Sequence, residues 1–238
     1  MSLLTIVQSH CQRYGLNVPS TVISNTDSTV VQLLSLLNEI CDVLSDQTNL
    51  QVAQRECTWT YIAAEDQGSI ATITGDAGFL YIKNGTMWDR TLGREVYGPL
   101  TDIEWQEYKA IPAPGPFYKY RFRGGHLLIS PTPTAPLSEI AFEYASSYLI
   151  QTAALVPKQY FTVDTDTSAI GDPIFKKGLA YRWKRDKGLE YQADEDEFWA
   201  MVNNQVARDG TRRSYNLGRS DVIGVRPGIM VPTGNWNV

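Results

Sequence analysis

The apolar period of this chain changes twice, and that order limits its fold more than any composition figure does. Leu3, Ile6, Val7, His10 and Cys11 recur at helical spacing up to Tyr14, where Gly15 supplies a stop. A second helical run follows the caps Thr26-Asp27-Ser28, with Val30, Val31, Leu33, Leu34, Leu37, Ile40, Cys41 and Leu44 covering much of its circumference, a pattern that predicts burial between neighbours. From Cys57 the period becomes two: Thr58, Thr60 and Ile62 alternate with Trp59 and Tyr61. Helical spacing resumes only at Ile174, so a β-rich segment lies between two helical parts and the fold class is α+β.

Within the β segment, Phe79–Ile82 is strand-like, and Phe117–Arg123, Gly124-Gly125 and His126–Ser130 read as a hairpin, with His126 at its turn. A further strand over Glu139–Ser147 alternates Ile140, Phe142 and Tyr144 against Ala141, Glu143 and Ala145. One short helix near Thr101–Ala110 interrupts the strands; Thr101 or Asp102 caps it and Glu104 stands in its first turn. From Asp172 to Gly210 the pattern predicts one long helix, with Asp172 at the N-cap, Pro173 at the first helical position and Gly210 as the stop. Such a helix spans roughly 57 Å, more than a domain of this size. Its charged centre, Lys184-Arg185-Asp186-Lys187-Gly188, is read as solvated or facing another subunit, with a kink at Gly188.

The 238 residues, 43% hydrophobic and 11% aromatic, suffice for a real core. A net charge of −5 leaves no general basic footprint for nucleic acid or an anionic membrane. Polar interruptions in Val30–Leu44 argue against a membrane span, and Met1–Thr5 lacks the basic start of a secretory signal. Cys11, Cys41 and Cys57 lack metal-ligand spacing and are expected to be buried, reduced thiols.

No nucleophile elbow, phosphate loop or metal-binding helix motif occurs, and no residue is assigned to catalysis, to a metal or to a cofactor; the chain is expected not to be an enzyme. His10 and His126 are given structural or solvent-exposed roles. Asp194, Glu195, Asp196 and Glu197 read as a solvated helix face or the wall of a negatively charged opening; hydrolysis through these carboxylates is the lesser reading. Asp164 and Asp166, among Thr162, Thr165, Thr167 and Ser168, read as a linker before the long helix, and Asn84-Gly85 as a type I′ turn. Trp59, Tyr61, Trp88, Tyr118 and Tyr120 motivate an alternative, a carbohydrate-binding or tail-fibre-like module, although such aromatics are usually core.

The segment after the long helix concentrates Arg212, Arg213, Arg219 and Arg226 among Tyr215, Val222, Ile223, Val225, Ile229, Met230, Val231 and Trp236. Glycine and proline break any helix there. Arginine interleaved with apolar anchors favours docking on a protein partner over contact with nucleic acid.

The opening Leu4-Thr5-Ile6-Val7-Gln8, the turn Tyr14–Pro19, the helix Val30–Ile40, Trp59, the stretches Tyr118–Arg123 and Ile129–Pro133, and the helix after Asp172-Pro173 resemble the head-to-tail adaptor proteins of phages, also known as head-completion connectors or tail tubular protein A. The resemblance covers nearly the whole chain as a layout of loose motifs. It implies a helical ring-forming body from 1–56 and 148–209 with a long C-terminal helix, an inserted β-rich domain over 57–147 and an extended C-terminal arm over 210–238. About a dozen copies then form a homo-oligomeric ring between the portal protein and a tail tube or nozzle protein. The arm reaches the portal, residues 194–197 line the channel, and genomic DNA passes without sequence-specific binding. Adaptors of short-tailed and long-tailed phages share this layout. The expected location is the head–tail junction of the virion, after synthesis in the host cytoplasm, with no membrane contact.

Overall fold

A computed structural model describes residues 1–47, 50–110, 115, 117–134 and 137–209. Mixed helices and antiparallel sheets make the fold α+β. Helix α1 (Leu3–Tyr14) begins at Ser2, whose hydroxyl accepts the Thr5 amide while the Thr5 hydroxyl accepts the Ser2 amide, a reciprocal cap. It ends at Gly15 in the left-handed region (φ 67°). Helix α2 (Ser28–Gln47) starts where Asp27 Oδ1 accepts the Thr29 amide at 2.8 Å. It buries Val30, Leu33, Leu36, Leu37, Ile40, Cys41 and Leu44, but Val31 remains 50% exposed. The expected burial on every side is therefore incomplete in the single chain.

Strand β1 (Gln54–Thr60) leads into the β-rich part, followed by β2 (Asp66–Ser69), the short helix α3 (Ile70–Thr74), β3 (Phe79–Ile82), β4 (Trp88–Asp89) and β5 (Arg94–Glu95). Helix α4 (Asp102–Ala110) is closed by Thr101 and Glu104, each side chain accepting the other's backbone amide. Strands β6 (Lys119–Arg123) and β7 (His126–Ser130) form the expected hairpin, both turn glycines having positive φ, and His126 opens β7. Strand β8 (Glu139–Ser146) pairs with β1 on one side and with β3 and β4 on the other. Its central place buries Ala141 and Ala145 as well as Ile140, Phe142 and Tyr144, so the expected two-faced alternation holds on one face only. At Asn84-Gly85 only Gly85 has positive φ, which rules out the expected type I′ turn.

The segment expected to be a linker is instead packed structure. Strands β9 (Ile150–Gln151), β10 (Pro157–Lys158) and β11 (Thr167–Ser168) form a small sheet, and the Leu3 and Leu4 amides bond to the Asp166 and Asp164 carbonyls at 2.8 and 3.2 Å. Two-residue strands carry no readable period, which is why the sequence did not disclose them.

The single long helix is replaced by a hairpin of helices α5 (Asp172–Asp186) and α6 (Gln192–Asp209). Gly188 adopts φ 69°, and the Gly188 and Leu189 amides return to the Arg185 and Lys184 carbonyls, a left-handed stop inside the charged run. Folding back lets α6 bury Phe198 and Val202 against the chain's own core; Tyr181 and Phe198 lie 5.1 Å apart between ring centres. The N-cap of α5 is Gly171, so Asp172 is the first helical residue and not the cap. At Gly178 an added Cβ would stand 3.0 Å from both Ile40 and Phe198, which marks the close approach of α2, α5 and α6.

Two apolar clusters result. One joins α1, α2, α5 and α6 with Leu50, Leu149, Ile150, Phe161 and Ile170. The other gathers Cys57, Tyr61, Ile82, Met87, Tyr120, Leu127, Ile129, Ile140, Phe142 and Tyr144 within the β-rich part.

Candidate functional site

The acidic run at the start of α6 divides by direction. Asp194 is buried against α5, where it pairs with Lys184 and lies 3.7 Å from Lys177 and 4.0 Å from Arg13 of α1. The hydrogen bond from Lys184 holds the Asp194 carboxyl below its ordinary value despite burial, and the same bond raises Lys184. Glu197 pairs with Lys177, while Glu195 is half-buried and Asp196 exposed. A channel-lining role for Asp194 is thus corrected: its carboxylate faces inward, because the helix hairpin brings the α5 lysines to it. The arm residues Arg212, Arg213, Tyr215, Arg219, Val222, Ile223, Val225, Arg226, Ile229, Met230, Val231 and Trp236 lie outside the described residues.

A second set of charges ties distant segments together. Asp166 is 1% exposed and accepts the Thr162 and Val163 amides at 2.8 Å and Lys158 Nζ at 2.9 Å. Burial pushes its carboxyl up, but the two amides and Lys158 together outweigh that, and the net shift is downward. Asp164 accepts the Val22 and Ile23 amides at 3.1 and 2.9 Å, which fastens the loop between α1 and α2. His10 packs between Tyr14 and Trp183 at ring-centre separations of 4.6 and 5.5 Å. Burial, with Arg13 nearby, lowers it to about 4, so it is neutral at pH 7.

Several concave surfaces are formed among the described residues, and three bear on function. A groove of about 470 Å³ runs along the outer face of α2, between Val31, Leu34, Ser35 and Asn38 on the helix and Tyr160 opposite. Its amide and carboxylate groups are already engaged. Asn38 Oδ1 accepts the Phe161 amide (3.1 Å), Asp42 accepts the Tyr160 hydroxyl (2.7 Å), and Glu39 pairs with buried Arg182 and lies 3.9 Å from Arg185. A cleft of about 380 Å³ on the five-stranded sheet is lined by Glu56, Arg90, Glu143 and Trp88, with Arg90 paired to Glu56. The third, about 40 Å³ between α1 and α5, includes Arg13 and Lys176. The groove carries no local sequence signature beyond the wide apolar face of α2.

Of the aromatic residues considered for glycan binding, Tyr61 and Tyr120 are fully buried, and Trp59 meets Phe142, and Tyr118 meets Tyr61, edge to face. Trp88 lines the sheet cleft. Cys11, Cys41 and Cys57 are free and buried, and burial pushes all three thiols up. Among the described residues, no group of three or more His, Cys, Asp or Glu is placed to hold a metal, and no helix is long and apolar enough to cross a membrane. No protein family's model matches the chain, and no curated protein matches it.

Proposed function

We propose that this chain is a non-enzymatic head-to-tail adaptor of a tailed phage, a ring of copies between portal and tail through which the genome passes. The observation that carries the reading is a division of charge along the chain. Four of its 21 basic residues but only one of its 26 acidic residues lie beyond Asp209, so residues 210–238 carry +3 and residues 1–209 carry −8. A basic segment set with apolar anchors suits capture of a protein surface, whereas an acidic body repels a duplex and lets it slide. The layout quoted above, helical parts flanking a β-rich part, agrees with this reading. In it, Glu195, Asp196 and Glu197 remain the acidic face available to the channel, and the arm engages the portal.

Docking through a terminal arm suits sequential assembly, because the protein stays largely unassociated until the portal surface is present. A portal pull-down tests this. Deletion of residues 210–238 is expected to abolish capture while leaving the unfolding midpoint of the remaining chain unchanged; undiminished capture contradicts the arm's role.

A further inference from the structure

The loop that joins β9 to β10 presents an apolar tip to solvent. The Thr152 amide donates to the Val156 carbonyl (2.8 Å), the Leu155 amide to the Thr152 carbonyl (2.9 Å), and the Val156 amide to Thr152 Oγ1 (3.1 Å). These bonds define a three-residue hairpin loop whose last residue takes the left-handed backbone, a position ordinarily held by glycine or asparagine. Here it is Leu155, at φ 61° the one non-glycine residue of positive φ among the described residues. Leu155 is 71% exposed and Val156 56%, and Ala153 and Ala154 are exposed beside them. A leucine held in an unfavourable backbone region with little burial is explained neither by local geometry nor by packing within the chain.

We infer that this tip is a knob that seats in the α2 groove of a second copy of the same chain. A convex apolar tip needs a concave apolar seat. The sheet cleft is walled by Glu56, Arg90 and Glu143, and the cleft between α1 and α5 is too small. The α2 groove offers Val31, Leu34 and Tyr160, and its carboxylates already have partners on their own chain. Covering it with an uncharged tip therefore leaves no charge unpaired.

Knob and groove are different surfaces, so each copy offers one to each neighbour, the head-to-tail contact that closes into a ring. This inference rests on the adaptor reading for its biological setting. Four small side chains cover far less than the roughly 1,200 Å² of a stable interface, so the contact is weak between two copies and gains strength only when many close together.

The test uses the whole chain carrying Leu155→Cys and Ser35→Cys, oxidised at high protein concentration and resolved by denaturing electrophoresis without reductant. One new surface thiol per chain links at most two chains, whereas the double variant is expected to give trimers and higher species. Mixed single variants are expected to give the heterodimer. A double variant that stops at monomers or dimers overturns the inference.

Leu155→Gly supplies the second arm: glycine suits the left-handed position, so the unfolding midpoint should hold or rise, while sedimentation shows self-association weakened by about tenfold or more. Unchanged association overturns the inference. So does flotation of the unmodified chain with phosphatidylglycerol vesicles that Leu155→Gly abolishes, since the tip would then be a membrane contact. Rings seen by electron microscopy on portal-bearing heads without the 155–35 link would overturn the knob and leave the adaptor reading standing. The link without portal capture would do the reverse.

Discussion

The helical core and the β-rich core are held together in different ways. In the helical core, buried or half-buried charges fasten segments far apart in sequence: Asp164 to the Val22 and Ile23 amides, Asp194 to Lys184 and Lys177, and Arg182 to Glu39. In the β-rich core, backbone ladders and short turns do most of this work; buried Asp76 accepts the Tyr144 hydroxyl at 3.1 Å and lies 3.6 Å from Arg55, while the pairs Arg90–Glu56 and Lys109–Glu65 sit at the exposed rim. Exposed pairs contribute little, but breaking a buried one leaves a charge or an amide without a partner. Sensitivity to acid and to single polar substitutions should therefore be concentrated in the helical core, with Asp76 its counterpart in the β-rich core; the helical core also carries the α2 groove, the apolar tip and the exit to residues 210–238.

The strongest way to break that contrast is Asp166→Ala, which strands Lys158 and the Thr162 and Val163 amides. A loss of about 3–5 kcal/mol is expected by denaturant titration, and hydrogen exchange should show α1 and α5 opening ahead of β1 and β8. Equal opening of both cores would show that they are not separately fastened.

Acidification comes next. His10 is held at about 4 in the folded chain against an ordinary value of 6.5. Between those values the unfolded chain takes up a proton that the folded chain refuses, so stability falls as pH drops from about 6.5 to 4, by up to about 3 kcal/mol. His10→Phe should flatten that limb of a midpoint-against-pH curve. Asp166 and Asp194 have the opposite relation, with folded values below the ordinary 3.8. Their contribution is intact above that value and is lost only as pH falls through the lowered folded values.

Gly178→Val should cost about 1–3 kcal/mol, because a side chain there meets Ile40 and Phe198 at once. The smallest effect is expected in the other core. The Tyr120 hydroxyl is buried with no hydrogen-bond partner among the described residues, so Tyr120→Phe should change stability by less than about 1 kcal/mol in either direction. A large loss there would reveal a polar tie at the Tyr120 hydroxyl beside the one between Tyr144 and Asp76.

Local chemistry made much of this fold legible. The Asp27 cap, the Gly15 stop, the Thr101 cap with Glu104 and the Gly124-Gly125 hairpin all act within a few residues, and the sequence discloses them; the Ser2 cap emerges only in the structure. Whether Asp172–Asp209 runs straight or folds back is decided elsewhere, by what Phe198 and Val202 can bury against; Gly188 in a charged run permits either a kink or a reversal. That same reversal turned Asp194 inward, so the acidic run was visible as part of a helix face but its pairing with α5 was not. The hub around Asp164 and Asp166 depends on amides more than a hundred residues away for Val22 and Ile23, a relation no window of sequence contains. The tip at Leu155 violates the residue preference of its own loop, which makes it invisible to turn rules that look for glycine.

The most direct test of the adaptor account is electron microscopy of assembled particles carrying a small label fused after Val238. The account predicts label density confined to the head–tail junction, arranged as a ring on the portal-facing side. Label absent from the junction, or placed on fibres or the capsid surface, would contradict it.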